Sequence, residues 1–209
     1  MTGVTILSAM RFRPVTYAAL VDHVVSRITA VPGQVRVAID GAAAARPGEL
    51  ADALVDPLRV LGRSVVRVRA EDFLRPASLR FEQGKTDEES RYSSWLDEGA
   101  LRREVLTGDK VLPSLWNART DRATRADYVA LPPEGVVVID GELLLGRGLP
   151  FDVTVHLWLS AGALARRTEP GDAWSLPVLA RYDTEADPLT TADVAVRIDD
   201  PNHPAMRST

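Results

Sequence analysis

Val-Arg-Val-Ala-Ile-Asp-Gly at 35–41 runs directly into Ala-Ala-Ala-Ala-Arg-Pro-Gly-Glu at 42–49, and this stretch decides the fold. Val35 to Ile39 is a short apolar run closed by Asp40-Gly41, and Leu50, Leu54, Leu58 and Leu61 then share one face of a helix expected over 49–61. Strand, turn and helix follow in order. The same phrase returns as Val-Val-Ile-Asp-Gly at 137–141, at the end of a second apolar strand beginning at Gly135. Outward from these two, Ser64 to Ala70 alternates Val65, Val66 and Val68 with Arg67 and Arg69, the pattern of a half-buried strand near a sheet edge. Further strands are expected at 152–159 and 194–198, with a short helix after Ser160 reaching Arg167. Leu20, Val24, Val25 and Ile28 mark an amphipathic helix that Thr16 caps and Pro32-Gly33 ends. Thr86-Asp87-Glu88-Glu89 reads as a capping box opening a helical stretch to Leu106, with a break expected near Gly99. Strands alternating with helices imply a mainly parallel α/β sheet covered on both faces. The division expected is an N-terminal helix within 1–34, an α/β domain over 35–200 and an irregular tail at 201–209 holding Pro201 and Pro204.

Composition narrows the function. The 209 residues carry 25 Lys+Arg against 29 Asp+Glu, a net charge of −4, which argues against a basic nucleic-acid binder. Only Lys85 and Lys110 among the 25 are lysines. No apolar run approaches the roughly 20 residues of a membrane helix, and residues 1–30 are too often charged for a secretory signal. Zero cysteines remove disulfides and thiolate chemistry, so a soluble, cytoplasmic protein is expected.

Ligands of an open parallel sheet bind beyond the carboxyl ends of its strands. That rule gathers Asp40, Glu71, Asp72, Asp140 and Glu142, five carboxylates that would repel unless a cation, an arginine or a bound proton compensates. His23, His156 and His203 have no metal-ligand spacing, and no serine sits in a Gly-x-Ser-x-Gly elbow, so neither a zinc enzyme nor an α/β-hydrolase is expected.

Apolar strand, Gly41, small-residue loop and helix stand where a phosphate-binding loop, Gly-x-x-x-x-Gly-Lys-[Ser/Thr], would stand. Glu71-Asp72-Phe73-Leu74-Arg75-Pro76 is similar to the Asp-x-Phe motif of uridine and pantothenate kinases, and Pro113 to Arg122 looks like the substrate hairpin of uridine kinases. Val-Ile-Asp-Gly-Glu-Leu-Leu-Leu at 138–145 is similar to their Glu-Gly-Ile-Leu strand end, and Arg166 and Arg167 sit where their arginine-bearing lid helix begins. Over roughly residues 35–204 the chain therefore resembles the uridine kinase-like branch of the P-loop kinases. The resemblance implies a three-layer α/β fold on a five-stranded mainly parallel sheet, with ATP and Mg2+ as cofactors and a nucleoside-like small molecule as ligand. It further implies Glu71 or Asp72 as the catalytic base, and Gly41, Arg46, Gly48, Arg166 and Arg167 around the nucleotide. Asp40 and Asp140 would hold the metal, and Arg122, Arg125, Trp116 and Tyr92 the substrate, although the two aromatic residues also suit plain packing. Homo-oligomers are compatible with all of this.

The departures concern the loop. Arg46 stands at the second glycine, Pro47 at the lysine and Gly48 at the hydroxyl residue. The charge that neutralises a transferring phosphate and the hydroxyl that holds magnesium are both missing. Proline also removes a backbone donor, Arg46 is strained if its φ must be positive, and Glu49 places an anion at the start of the helix. The expectation is a kinase-like protein with weak or absent ATP binding. The alternatives are an active small-molecule kinase that recruits Arg46 or one of the two lysines, and a non-catalytic scaffold.

Overall fold

A computed structural model describes residues 10–208. Of the expected N-terminal unit, residues 1–9 lie outside the described residues, as does Thr209 of the tail. The chain opens with strand β1 (Phe12–Pro14) and helix α1 (Tyr17–Thr29), whose first turn is closed by the Ala19 N–H donating to Thr16 Oγ1 at 3.1 Å. Then come β2 (Val35–Gly41), α2 (Pro47–Ala53), α3 (Val55–Val60) and β3 (Val65–Arg69). Two short ribbons, β4 (Lys110–Val111) with β7 (Val129–Ala130) and β5 (Trp116–Asn117) with β6 (Arg122–Ala123), precede β8 (Val136–Gly141) and β9 (Val153–Trp158). Strands β10 (Val194–Arg197) and β11 (Ala205–Arg207) complete the main sheet, whose order is β1-β11-β10-β9-β2-β8-β3.

Five of these seven strands, β10, β9, β2, β8 and β3, are the expected parallel set, and β3 is indeed an edge. The other two correct the strand count. Residues 205–207 are no irregular tail but pair antiparallel with both β10 and β1, and Met206 is buried against α1. Pro201 and Pro204 both precede this strand instead of interrupting it, so its N–H groups remain available to the ladder.

Alternation along the strands builds two cores. Val35, Val37 and Ile39 join Val136 and Val138 beneath Leu20, Val24 and Ile28 of α1 and Leu50 of α2. Ala38, Val137 and Ile139 face the other way, toward Phe73, Leu101, Leu144 and Leu179. The three layers expected from the sequence are these two cores with the sheet between them. Each fully buried aliphatic side chain contributes about 1.5 to 3 kcal/mol.

Local departures have local causes. The helix expected over 49–61 is broken at Leu54, because Pro57 cannot donate to the Ala53 carbonyl. Over 86–106 the break falls at 94–97, not near Gly99: there the Arg75 N–H donates to the Trp95 carbonyl and the Asp97 N–H to Phe73. Asp87, not Thr86, caps this helix by accepting from Ser90 N–H at 2.7 Å.

Candidate functional site

Two clefts flank the 42–48 loop at the carboxyl ends of the parallel strands. The larger, about 1100 Å³, runs from the loop past Phe81, Lys85 and Trp95 to Arg167, Trp174 and Asn202. The smaller, about 390 Å³, lies between Pro47-Gly48, Glu71 and Asp140. Ala43, Arg46, Arg91, Trp95 and Glu142 line both.

Gly41 begins the loop because nothing larger fits: a Cβ there would stand 2.8 Å from the Leu157 carbonyl oxygen. Ala43–Ala45 form a tight 3₁₀ turn, and Arg46 follows at φ 56°, ψ 54°. The left-handed conformation suspected at the second glycine position is therefore adopted by an arginine, at a cost of about 1 to 2 kcal/mol. Its guanidinium turns back to Glu49 at 3.2 Å, so cation and neighbouring anion cancel at the helix start. Glu142 Oε1 accepts from the Ala43 N–H at 2.6 Å, and its other oxygen accepts from Arg91. A carboxylate of the chain itself thus lies on the loop.

The five acids do not gather at one point. Asp140 accepts from Arg67 Nη2 at 2.7 Å, while Arg67 also reaches Asp52 and the Val138 carbonyl. Glu71 pairs loosely with Arg69 at 3.5 Å, and both side chains are exposed on the smaller cleft. Asp72, its neighbour, is turned toward Ser114; burial raises its pKa, the Ser114 hydrogen bond opposes that, and Glu71 adds to it. Asp40 is wholly buried. Its Oδ1 accepts from Leu144 N–H at 2.9 Å, and its Oδ2 lies 2.6 Å from His156 Nδ1 and accepts from the Tyr182 hydroxyl at 3.0 Å. Arginines, one histidine and one tyrosine supply the compensation that the sequence demanded. Among the described residues no three His, Asp or Glu side chains are arranged to hold a metal ion.

The backbone has solved counterparts. A possible uridine kinase from Bacillus stearothermophilus matches over 85% of this chain and 97% of its own, with TM-score 0.69 and 20% identity. The fold is that of the P-loop kinases. A putative fructose transport system kinase from Silicibacter sp. TM1040 matches at TM-score 0.61 and 22% identity, over 85% of this chain and 95% of that one. The protein designated YGR205w matches at TM-score 0.56 and 10% identity, over 91% and 99%. No family model and no curated protein matches the sequence.

Against this P-loop kinase fold the expected site residues divide. Gly41, Arg46, Gly48, Glu71 and Asp140 meet around the loop, and Arg167 lines the larger cleft with its guanidinium donating to the Ile198 carbonyl at 2.9 Å. Arg166, Arg122, Arg125 and Trp116 line neither cleft; the Trp116 indole instead donates to Asp121 at 3.1 Å. Tyr92 stands outside both as well, with the Arg181 guanidinium 4.1 Å over its ring. Sequence reading missed Arg67, Arg91, His156 and Tyr182. His156 sits in an apolar strand with nothing local to mark it, and Arg91 looks like any exposed helical arginine. The alternation that exposed Arg67 was legible; its three partners were not.

Proposed function

We propose that this chain is a uridine kinase-like protein that keeps an acceptor cleft around Glu71 but has lost the loop chemistry for magnesium-ATP. It binds a small hydroxyl-bearing, nucleoside-like ligand and transfers phosphate very slowly or not at all. The observation that carries this reading is the loop itself: Arg46 left-handed and paired with Glu49, no donor at Pro47, no hydroxyl at Gly48, and a carboxylate on the Ala43 N–H. These residues do not fit ATP with Mg2+. A triphosphate needs free backbone donors and a cation at this place, and it meets two carboxylates. Asp40, one of the two expected metal ligands, is enclosed by His156, Tyr182 and Leu144.

On the acceptor side, Glu71 is the acid with room to accept a proton from a ligand hydroxyl, since it faces the smaller cleft and its arginine contact is long. A second reading, an active small-molecule kinase, draws support from Lys85, which lines the larger cleft, whereas Lys110 lies in the β4–β7 ribbon. Titration calorimetry separates the two. The expected result is no magnesium-ATP binding below the high micromolar range; a low micromolar Kd, about −8 kcal/mol, overturns the impaired-loop reading. Thermal melting with nucleosides then tests the acceptor cleft, where ligand at 100 Kd stabilises by roughly 2.7 kcal/mol. A melting temperature indifferent to every nucleoside removes the ligand half of the proposal.

A further inference from the structure

Glu142 and Arg91 form the wall between the two clefts, and both are largely buried, with side chains 22% and 16% exposed. Each oxygen of the Glu142 carboxylate has one donor: the Ala43 N–H at 2.6 Å on one, the Arg91 guanidinium on the other. A loop amide beside a guanidinium is the donor set that a pair of phosphate oxygens takes. Arg91 does not depend on Glu142 for its place. Its guanidinium lies 5.0 Å over the Trp95 ring, and Trp95 is held by its indole N–H on Ser90 Oγ at 3.0 Å and by the Phe81 and Trp174 rings, with centroids 5.4 and 5.8 Å away. The other arginines of the smaller cleft have their own carboxylates: Arg46 has Glu49, Arg67 has Asp52 and Asp140, Arg69 has Glu71, and Arg147 has Glu98. With Glu142 withdrawn, Arg91 is the arginine of that wall left without an anion.

We propose that Ala43 N–H and Arg91 form a phosphate-binding site at the junction of the two clefts, and that Glu142 is a built-in anion that keeps it closed. The ligand is a small molecule bearing a phosphate group, whose oxygens replace the Glu142 carboxylate on the same two donors. Because the internal carboxylate is tethered beside its donors, it outcompetes dilute phosphate, and the site opens only when Glu142 swings out. This rests on the reading that the loop no longer holds a triphosphate, and adds that the closure is reversible and resides in one side chain.

The test titrates inorganic pyrophosphate, without metal, into the full chain and its variants. Glu142→Ala is expected to tighten the pyrophosphate Kd by roughly tenfold or more, and Arg91→Ala in that background to return it to the wild-type value. Asp52→Asn, which removes the same charge from the smaller cleft but leaves Arg67 paired with Asp140, is expected to change it by less than about threefold. Should Glu142→Ala fail to melt cooperatively, Glu142→Gln is read instead, since it keeps the side chain's length but loses the charge and one of the two acceptor oxygens. A folded Glu142 variant without gain overturns the proposal, as does a gain that survives the loss of Arg91 or is matched by Asp52→Asn. Low micromolar magnesium-ATP binding by the wild type would instead overturn the loop reading, so the two failures are distinguishable.

Discussion

Val-Ala-Ile-Asp-Gly at 37–41 and Val-Val-Ile-Asp-Gly at 137–141 end adjacent parallel strands, yet their aspartates have opposite fates. The two phrases are paired one residue out of step: Ile39 lies opposite Asp140, and Asp40 opposite Gly141. Because side chains alternate along a strand, a one-residue offset sends equivalent residues to opposite faces. Asp40 joins the Ala38 and Ile139 face, where His156 and Tyr182 enclose it. Asp140 joins the Val37 and Val138 face beneath the loop, where its Oδ2 stands 3.1 Å from the position of a Cβ on Gly48. One phrase thus yields a structural anchor and a cleft residue.

The comparison breaks most readily at the anchor. Asp40→Ala leaves His156, Tyr182 and the Leu144 N–H without their acceptor, and is expected to cost about 3 to 5 kcal/mol in urea unfolding. Asp140→Ala is expected to cost about 1 to 2 kcal/mol, since Arg67 keeps Asp52 and the Val138 carbonyl. Equal losses would mean that the offset does not separate their roles.

A rebuilt loop sharpens the cleft side. Arg46→Gly, Pro47→Lys and Gly48→Ser together restore the lysine charge, a backbone donor and a hydroxyl near Asp140, and magnesium-ATP affinity is expected to rise roughly 100-fold, about 2.7 kcal/mol by calorimetry. Serine is preferred to threonine because Asp140 already crowds the new Cβ. Glu71→Gln in that background is expected to leave ATP affinity intact while lowering any transfer to a nucleoside hydroxyl by about 10². Turnover that does not change would move the base to Asp72.

The Asp40 side also carries a pH signature. Asp183, next to Tyr182, is exposed as a residue, yet the surroundings of its carboxyl push its pKa up to about 6, first by desolvation and then by repulsion from Asp40 and Asp187, against attraction from His156 and a hydrogen bond from Trp158. A carboxyl with a raised folded-state pKa contributes stability that is complete below the unfolded value and is lost as pH rises toward 6. Because water screens a carboxyl on an exposed residue, Asp183→Asn is expected to exceed wild type by no more than about 1 kcal/mol at pH 8, the gap closing toward pH 4 in urea melts at a series of pH values. No gap at pH 8 would show that Asp183 is solvated. Smallest is Arg46→Gly alone, expected to stabilise by about 0.5 to 1 kcal/mol as the left-handed strain is relieved, because the exposed pair with Glu49 contributes little.

Much of the fold was legible because its signals are local. Strand and helix periods, the Thr16 cap, the exposed face of β3 and the strain at Arg46 each depend on a few neighbouring residues. The candidate site was legible by halves. Pro47, Gly48 and Glu49 show a loop without lysine or hydroxyl in any context, but Tyr92 and Trp116 carry the same letters whether they stack on a ligand or, as here, serve Arg181 and Asp121.

The sequence by itself determined the order of elements, the two apolar faces of the sheet and the absence of lysine and hydroxyl from the 42–48 loop, since each is written in residue type and spacing along the chain. Only the tertiary structure decided the one-residue offset between β2 and β8, the capture of 205–207 as a strand between β1 and β10, and the placing of Glu142 between Ala43 and Arg91. Those depend on how strands far apart in the chain pair, which is fixed by burying both faces of the sheet at once, a condition that no single segment carries.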